Sequence, residues 1–169
     1  MNIIIMGCPG AGKTTQAELL AKQLGLPHIE TGAIYRAIAN EPTALGQKVK
    51  DILDVGGLID DQTTFEVVDK YLNQISGGFV LDGFPRTLTQ AQREIFPVDK
   101  IFYIKLTDEE ATKRLLLRTR QDDRAEVITE RLKLYHKETE PILDYYQKQG
   151  KLVEVDGSGT IEEVHEHLH

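Results

Sequence analysis

Cysteine is almost missing from the chain: Cys8 is the single one among 169 residues. One thiol cannot close an internal disulfide, and without a C-x-x-C pair there is no cysteine zinc spacing, so neither a disulfide scaffold nor a zinc site is supported. Long apolar runs are missing too. No stretch reaches the roughly 18 residues of a spanning helix. The opening "MNIIIMGCPG" is too short in apolar residues, and lacks a basic leader, for a secretion signal. A cytoplasmic protein with no membrane partner is expected. Positive charge is the minority sign, with 20 Lys and Arg against 27 Asp and Glu and a formal net charge of −7. Broad binding to nucleic acid needs a basic face, so nucleic acid is excluded as a partner and any anion site must be local. No repeat, low-complexity segment or linker interrupts residues 1–169, and the length suits a single domain.

What is present alternates between two patterns. "NIIIM", "LPHIE", "GFVLDG", "KIFYIKL" and "KLVEVDG" are short apolar runs rich in β-branched and aromatic residues, each set off by helical or turn-rich sequence. That alternation predicts an α/β fold, a parallel five-stranded sheet with helices on both faces. "TTQAELLAKQLG" predicts a helix ended by Gly25. "TGAIYRAIA", "TALGQKVKDILDVGG" and "DQTTFEVVDKYLNQI" predict three more helices, broken at Pro42 and at Gly56-Gly57, which suggests a small helical lobe. A long helix is expected from Asp123 to Lys148, started by a capping-box-like Asp123 and Glu126 and kinked or broken at Pro141.

"GCPGAGKT", Gly7 to Thr14, fits G-x-x-x-x-G-K-[ST] and lies between a predicted strand and a predicted helix, the context a P-loop requires. Its glycines, Gly7, Gly10 and Gly12, with Pro9 and Ala11 between them, let successive backbone N–H groups converge on phosphate oxygens. Lys13 adds a mobile point charge, and Thr14 or Thr15 offers a hydroxyl to Mg²⁺ or to phosphate. Asp82, at the end of "FVLD", is a candidate to hold the metal, directly or through water.

The local anion site is foreshadowed by "RLLLRTRQDD", which puts Arg114, Arg118 and Arg120 within seven positions. If this stretch is helical, Arg114 and Arg118 share one face at a cost of about 0.2–0.5 kcal/mol, which an anion would offset. Glu110, four residues before Arg114, offers that arginine an ordinary surface ion pair instead.

Together with "TGAIYR", "LDGFPRTLTQA" and "ITERLKLYHKETEPILDYY", these motifs resemble the nucleoside monophosphate kinases, specifically the adenylate kinase family, almost end to end. The resemblance implies a P-loop NTPase three-layer sandwich with an acceptor-binding lobe at residues 31–60. It implies reversible, Mg²⁺-dependent transfer from ATP to AMP giving two ADP, by a monomer or a homo-oligomer. Position by position, it assigns Thr31, Gly32, Arg36, Ile59, Gly83, Arg86 and Gln90 to AMP, and the P-loop with Arg114 and Gly159 to ATP. Lys13, Arg86, Arg114, Arg118, Arg120 and Arg131 surround the phosphoryl in flight, with Arg120 and Arg131 also reaching AMP, and Asp122 and Asp123 tether the arginines. Thr31 has a second use as the N-cap of "GAIYRAIA".

The chain departs from the family pattern mainly between Arg118 and Arg120, where a mobile lid normally inserts and only Thr119 remains, leaving residues 118–121 as a vestige. Thr14 stands where glycine is usual, and Ala33 and Tyr35 replace an Asp and a Leu. Arg124 matches no family position and is expected to face solvent. A kinase for another nucleoside monophosphate, or a lid-deficient nucleotide switch or ATPase, are the alternatives. The tail "IEEVHEHLH" is read as a frayed terminal helix rather than a zinc site.

Overall fold

The computed structural model describes residues 1–118, 120 and 123–168. Five strands form one parallel sheet: β1 (Asn2–Gly7), β2 (His28–Glu30), β3 (Phe79–Asp82), β4 (Lys100–Lys105) and β5 (Leu152–Asp156), in the order β2-β3-β1-β4-β5. This is the expected α/β P-loop architecture. β1 and β3 are continuous apolar runs because helices cover both faces of the sheet; Ile3, Ile4, Ile5, Val80 and Leu81 are all buried. β2 is shorter than "LPHIE" suggested, although the Pro27 carbonyl still accepts from the Val80 N–H.

From β1 the chain runs past the place of β3 to the edge strand β2, returns to β3, and then crosses β1 to β4 on the other side, so strand order reverses at β1. In such sheets the crevice at the carboxyl ends of the strands is where ligands bind. The register aligns Ile5 with Asp82 and with Phe102, and Glu30 with Asp82, which brings the ends of β1, β2 and β3 to one rim.

Helix α1 (Lys13–Leu24) leaves that rim and ends at Gly25, whose φ of 64° lets the Leu26 N–H turn back to the Ala21 carbonyl. Then α2 (Thr31–Ala39), α3 (Ala44–Asp54) and α4 (Asp61–Leu72) follow. Tyr35, Val49, Ile59 and Val67 form an apolar cluster of their own, separate from the core around β1 and β4. The remaining helices are α5 (Leu88–Gln92), α6 (Asp108–Leu117), α7 (Ala125–Leu134), α8 (Pro141–Lys148) and α9 (Ile161–His165).

Three local expectations are corrected. The expected break at Pro141 is present, but the helix begins at Ala125 and the join to α8 is a π-helical turn, Tyr135–Thr139: Pro141 has no N–H to donate, and the Glu140 N–H bonds the Tyr135 carbonyl five residues back. Arg124, not Asp123, is the N-cap of α7, and it makes no side-chain cap. The terminal helix is docked rather than frayed. Val164 and Leu168 are buried, the Gln16 side chain donates to the Ile161 carbonyl, and His165 lies 3.1 Å from Gln16 Oε1 and 2.9 Å from Gln23 Oε1. His169 lies outside the described residues.

Candidate active site

The P-loop geometry follows from its glycines. At Gly10, φ is 86° and a Cβ would stand 2.7 Å from the Ala111 carbonyl oxygen, so only glycine lets the loop lie against α6. Gly12, also at φ 86°, is the N-cap of α1 and brings no side chain to cap it, and no acid occupies the first turn. The N-terminus of a twelve-residue helix is thereby presented to an anion. Lys13 is partly buried, and its ammonium rests on the Cys8 carbonyl at 2.9 Å. Burial pulls its pKa below the ordinary lysine value, against the opposing pull of Asp82.

Thr14 Oγ1 donates to Asp82 Oδ2 at 2.5 Å, and Asp82 is buried. One carboxylate and one hydroxyl therefore meet beside the P-loop. Among the described residues no group of three or more His, Cys, Asp or Glu is placed to hold a metal. Such a sparse oxygen set suits Mg²⁺, which keeps several waters and takes its other ligands from substrate phosphates. The residues fit the ion.

Two adjoining clefts open at this rim and share Lys13, Arg36, Arg86 and Arg131. One has an apolar side, walled by Tyr35, Leu53, Leu58, Phe84, Leu134 and Tyr135. The other is cationic: Lys13 and six arginines line it against three carboxylates, Glu18, Glu30 and Asp82, a local reversal of the chain's negative balance. Every arginine expected around the phosphoryl is among them: Arg86, Arg114, Arg118, Arg120 and Arg131.

The side chains of Arg36, Arg86, Arg114, Arg118 and Arg131 have identifiable anchors. Arg36 pairs with Glu30 at 2.7 Å. Arg86 Nε donates to the Gly83 carbonyl at 2.7 Å, and its own carbonyl accepts from Thr139 Oγ1 at 2.7 Å. Arg114 makes the surface pair with Glu110 at 3.1 Å and also reaches the Ser158 carbonyl at 3.5 Å, beside Gly159. Helix α6 stops at Leu117, so Arg118 is extended (φ −74°, ψ 155°) and does not stack over Arg114 as a helical neighbour. Instead it donates twice to Asp123, Nε to Oδ2 at 2.9 Å and Nη2 to Oδ1 at 2.7 Å, while Arg131 Nη1 reaches Oδ1 at 3.3 Å. This is why Asp123 does not cap α7. The other expected tether, Asp122, lies outside the described residues, as do Thr119 and Gln121 of the shortened lid.

On the acceptor side, Thr31 is the first residue of α2 rather than its N-cap, which is Glu30. Its hydroxyl donates to the Asp82 carbonyl at 3.2 Å, and Gly83, at φ 90°, is what lets it approach, since a Cβ there would collide with Thr31 Oγ1. Gly32 and Gly83 line both clefts. Ile59 packs in the apolar cluster of α2–α4, and the cleft wall beside it is Gly57 and Leu58. Gln90 is buried, its Oε1 accepting from the Arg86 N–H at 2.7 Å and its Nε2 donating to Asp61 at 2.9 Å. Gly159 lines neither cleft. Arg124 is exposed as expected, but its Nη2 reaches the Asp54 carbonyl at 3.0 Å, bridging α7 to the end of α3.

Sequence reasoning missed Asp61, Thr139 and the apolar wall residues Leu58 and Leu134. Only the four-residue step from Arg86 to Gln90 hinted at the network that Asp61 completes. No helix among the described residues is long and apolar enough to cross a membrane.

Comparison with known proteins agrees with this geometry. A family model described as adenylate kinase matches residues 5–151. An adenylate kinase of Prochlorococcus marinus is 39% identical over 174 residues, covering 99% of this chain and 96% of that protein. One from Nocardia farcinica is 39% identical, covering 98% of this chain and 96% of its own. One from Ruminiclostridium cellulolyticum is 36% identical over an alignment of 203 residues that covers 96% of this chain and 95% of its own. That alignment is longer than the whole of this chain, so the relative carries residues that this one lacks.

Proposed function

The chain belongs to the adenylate kinase family and is a phosphotransferase acting on nucleoside monophosphates; from that premise we propose that it transfers the terminal phosphoryl group of ATP to AMP, reversibly, giving two ADP. The observation that carries this reading is the joining of an apolar cleft to a cationic one through Lys13, Arg36, Arg86 and Arg131. An ATPase needs one phosphate cradle. A second clamp, Arg36 with Arg86, facing the same space as the P-loop suits an acceptor phosphate brought up to a donor.

An oxygen of the AMP phosphate attacks the γ-phosphorus of ATP, the bond to the β-phosphate oxygen breaks, and both products are ADP. The attacking group is already an anion at neutral pH, so no general base is required. The transition state spreads charge over equatorial oxygens, and catalysis is largely positioning and fixed positive charge. Lys13 and the first turn of α1 hold the outer phosphates of ATP, Arg36 and Arg86 hold AMP, and Arg114, Arg118, Arg120 and Arg131 neutralise the group in transit. In this reading Gly159 and its loop flank the ATP base, and Thr31, Gly32, Ile59, Gly83 and Gln90 serve the AMP base; of these, Gly32 and Gly83 line the clefts directly. Thr14 and Asp82 would hold Mg²⁺, directly or through water. The ion would supply charge neutralisation at the phosphate oxygens.

The lobe of residues 31–60 closes over AMP in this reading, carrying Arg36 inward. With only Thr119 between Arg118 and Arg120, the sequence keeps the arginines but is too short there for a lid that would close over ATP. A coupled ADP assay across AMP, GMP, CMP, UMP and dTMP tests the function, with AMP expected to be used best. Turnover with none of the five would refute transfer, and favour of another acceptor would move the chain to a different monophosphate. Arg86→Ala should lower kcat/KM by orders of magnitude in a protein that still melts cooperatively.

A further inference from the structure

We propose that Asp61 is a positioning residue that sets the orientation of the Gln90 amide, and through it the choice of acceptor base; this rests on the reading above that Gln90 faces that base. Asp61 is the first residue of α4, and one of its oxygens, Oδ1, accepts two hydrogen bonds, from Gln90 Nε2 at 2.9 Å and from Thr87 Oγ1 at 3.0 Å. Gln90 Oε1 accepts from the Arg86 N–H at 2.7 Å. A backbone N–H can only donate and a carboxylate can only accept, so the two ends of the amide are assigned by their partners. Turning the amide over would set its oxygen against Asp61 and its NH₂ against the Arg86 N–H. Gln90 is 3% exposed, so water is poorly placed to relieve either mismatch.

The lock leaves Gln90 one Nε2 proton and one Oε1 lone pair for a ligand, in a fixed order. Adenine presents the N1 acceptor beside the N6 donor, which matches the amide in one orientation, whereas guanine presents an N1–H donor beside the O6 acceptor, the reverse order, which only a turned amide would match. A buried amide held in one orientation discriminates between these edges because the wrong base leaves a polar atom unpaired. An amide free to turn loses part of that discrimination. The Thr87 bond adds to the constraint: Thr87 is the N-cap of α5 and accepts from the Gln90 N–H at 3.2 Å, so Asp61 fixes both the turn that carries Gln90 and the end of its side chain.

The test is the ratio of kcat/KM for AMP to that for GMP in the wild type, Asp61→Ala, Asp61→Asn and Gln90→Leu. Asp61→Ala should lower the ratio by about tenfold, chiefly through a raised KM for AMP, with KM for ATP within about twofold. Asp61→Asn, whose Oδ1 still accepts, should keep the ratio within about threefold. A tie that is structural alone would lower the melting temperature and leave the ratio untouched. If Gln90→Leu abolishes the preference while Asp61→Ala leaves it intact, the proposal is overturned and the base reading stands. If Gln90→Leu leaves the preference intact, the base reading fails and the proposal with it. A measurement on the wild type avoids any folding defect: one Gln90 side-chain amide proton should be protected from solvent exchange by NMR, and equal, unprotected exchange of both would overturn the lock.

Discussion

Replacing Asp123 with asparagine takes one negative charge from between two guanidinium groups. The Asp123 side chain is fully buried, while those of Arg118 and Arg131 remain 33% and 24% exposed. Asparagine keeps one acceptor oxygen but turns an NH₂ toward one of the two Arg118 donors. Each hydrogen bond to a charged group contributes about 1.5–3 kcal/mol, and breaking a buried ion pair from one side costs about 3–5 kcal/mol. Solvent reaching both arginines argues for the low end, about 3 kcal/mol. For a chain of this length each kcal/mol moves the melting temperature by about 2–4 °C, so a fall of about 6–12 °C is expected in a calorimetric scan. Because the carboxylate is buried, the deficit should persist in about 1 M salt, where surface pairs are screened within about 3 Å. The two arginines also lose their common anchor, and kcat should drop by about 10²–10³, the scale of losing one charge-stabilising donor. A variant melting within about 2 °C of the wild type, with kcat within about threefold, would refute the idea that Asp123 aims these side chains.

Gly10→Ala should cost about 1–3 kcal/mol and weaken ATP binding, because the positive φ and the nearby Ala111 carbonyl both oppose a Cβ; an unchanged melting curve would contradict this. His136 bridges Asp108 on α6 and Glu140 after the π turn, both at 2.8 Å, and these two acceptors raise its pKa. Its contribution to stability is therefore full below about pH 6.5 and fades as pH rises through the higher folded value; His136→Gln should remove that slope from melting temperature against pH. ATP without acceptor should release ADP faster than in relatives with a full lid. Equal, negligible hydrolysis would mean that the site is covered by some other means.

The sheet was legible because its strands are uninterrupted apolar runs, and Gly25 marked the end of α1 by the left-handed turn it alone takes readily. The P-loop and the arginine cluster were legible because local spacing carries them. Pro141 announced a break, but its form, a π turn that brings Tyr135 to the cleft and Thr139 to the Arg86 carbonyl, depends on tertiary packing that the sequence does not display. Asp123 read as a helix cap because Glu126 stands three residues on; in the fold, two guanidinium groups outcompete backbone N–H donors for its oxygens. The histidine tail read as frayed because the apolar residues that dock it, Val164 and Leu168, are few, and its partners Gln16 and Gln23 lie at the other end of the chain. Asp61 was invisible for the same reason, with Thr87 and Gln90 distant in sequence and near only after α4 packs beside α5.

In the proposed reaction two nucleotides meet with their phosphates inside one ring of cationic side chains. A crystal structure with a bisubstrate mimic, two adenosines joined by a phosphate chain, tests it most directly. Lys13, Arg36, Arg86, Arg118 and Arg131 should all point at that chain, with one adenosine against the apolar wall of Leu58 and Leu134. Phosphates gripped by the P-loop alone, with the arginines turned out to solvent and the second adenosine unbound, would contradict the account.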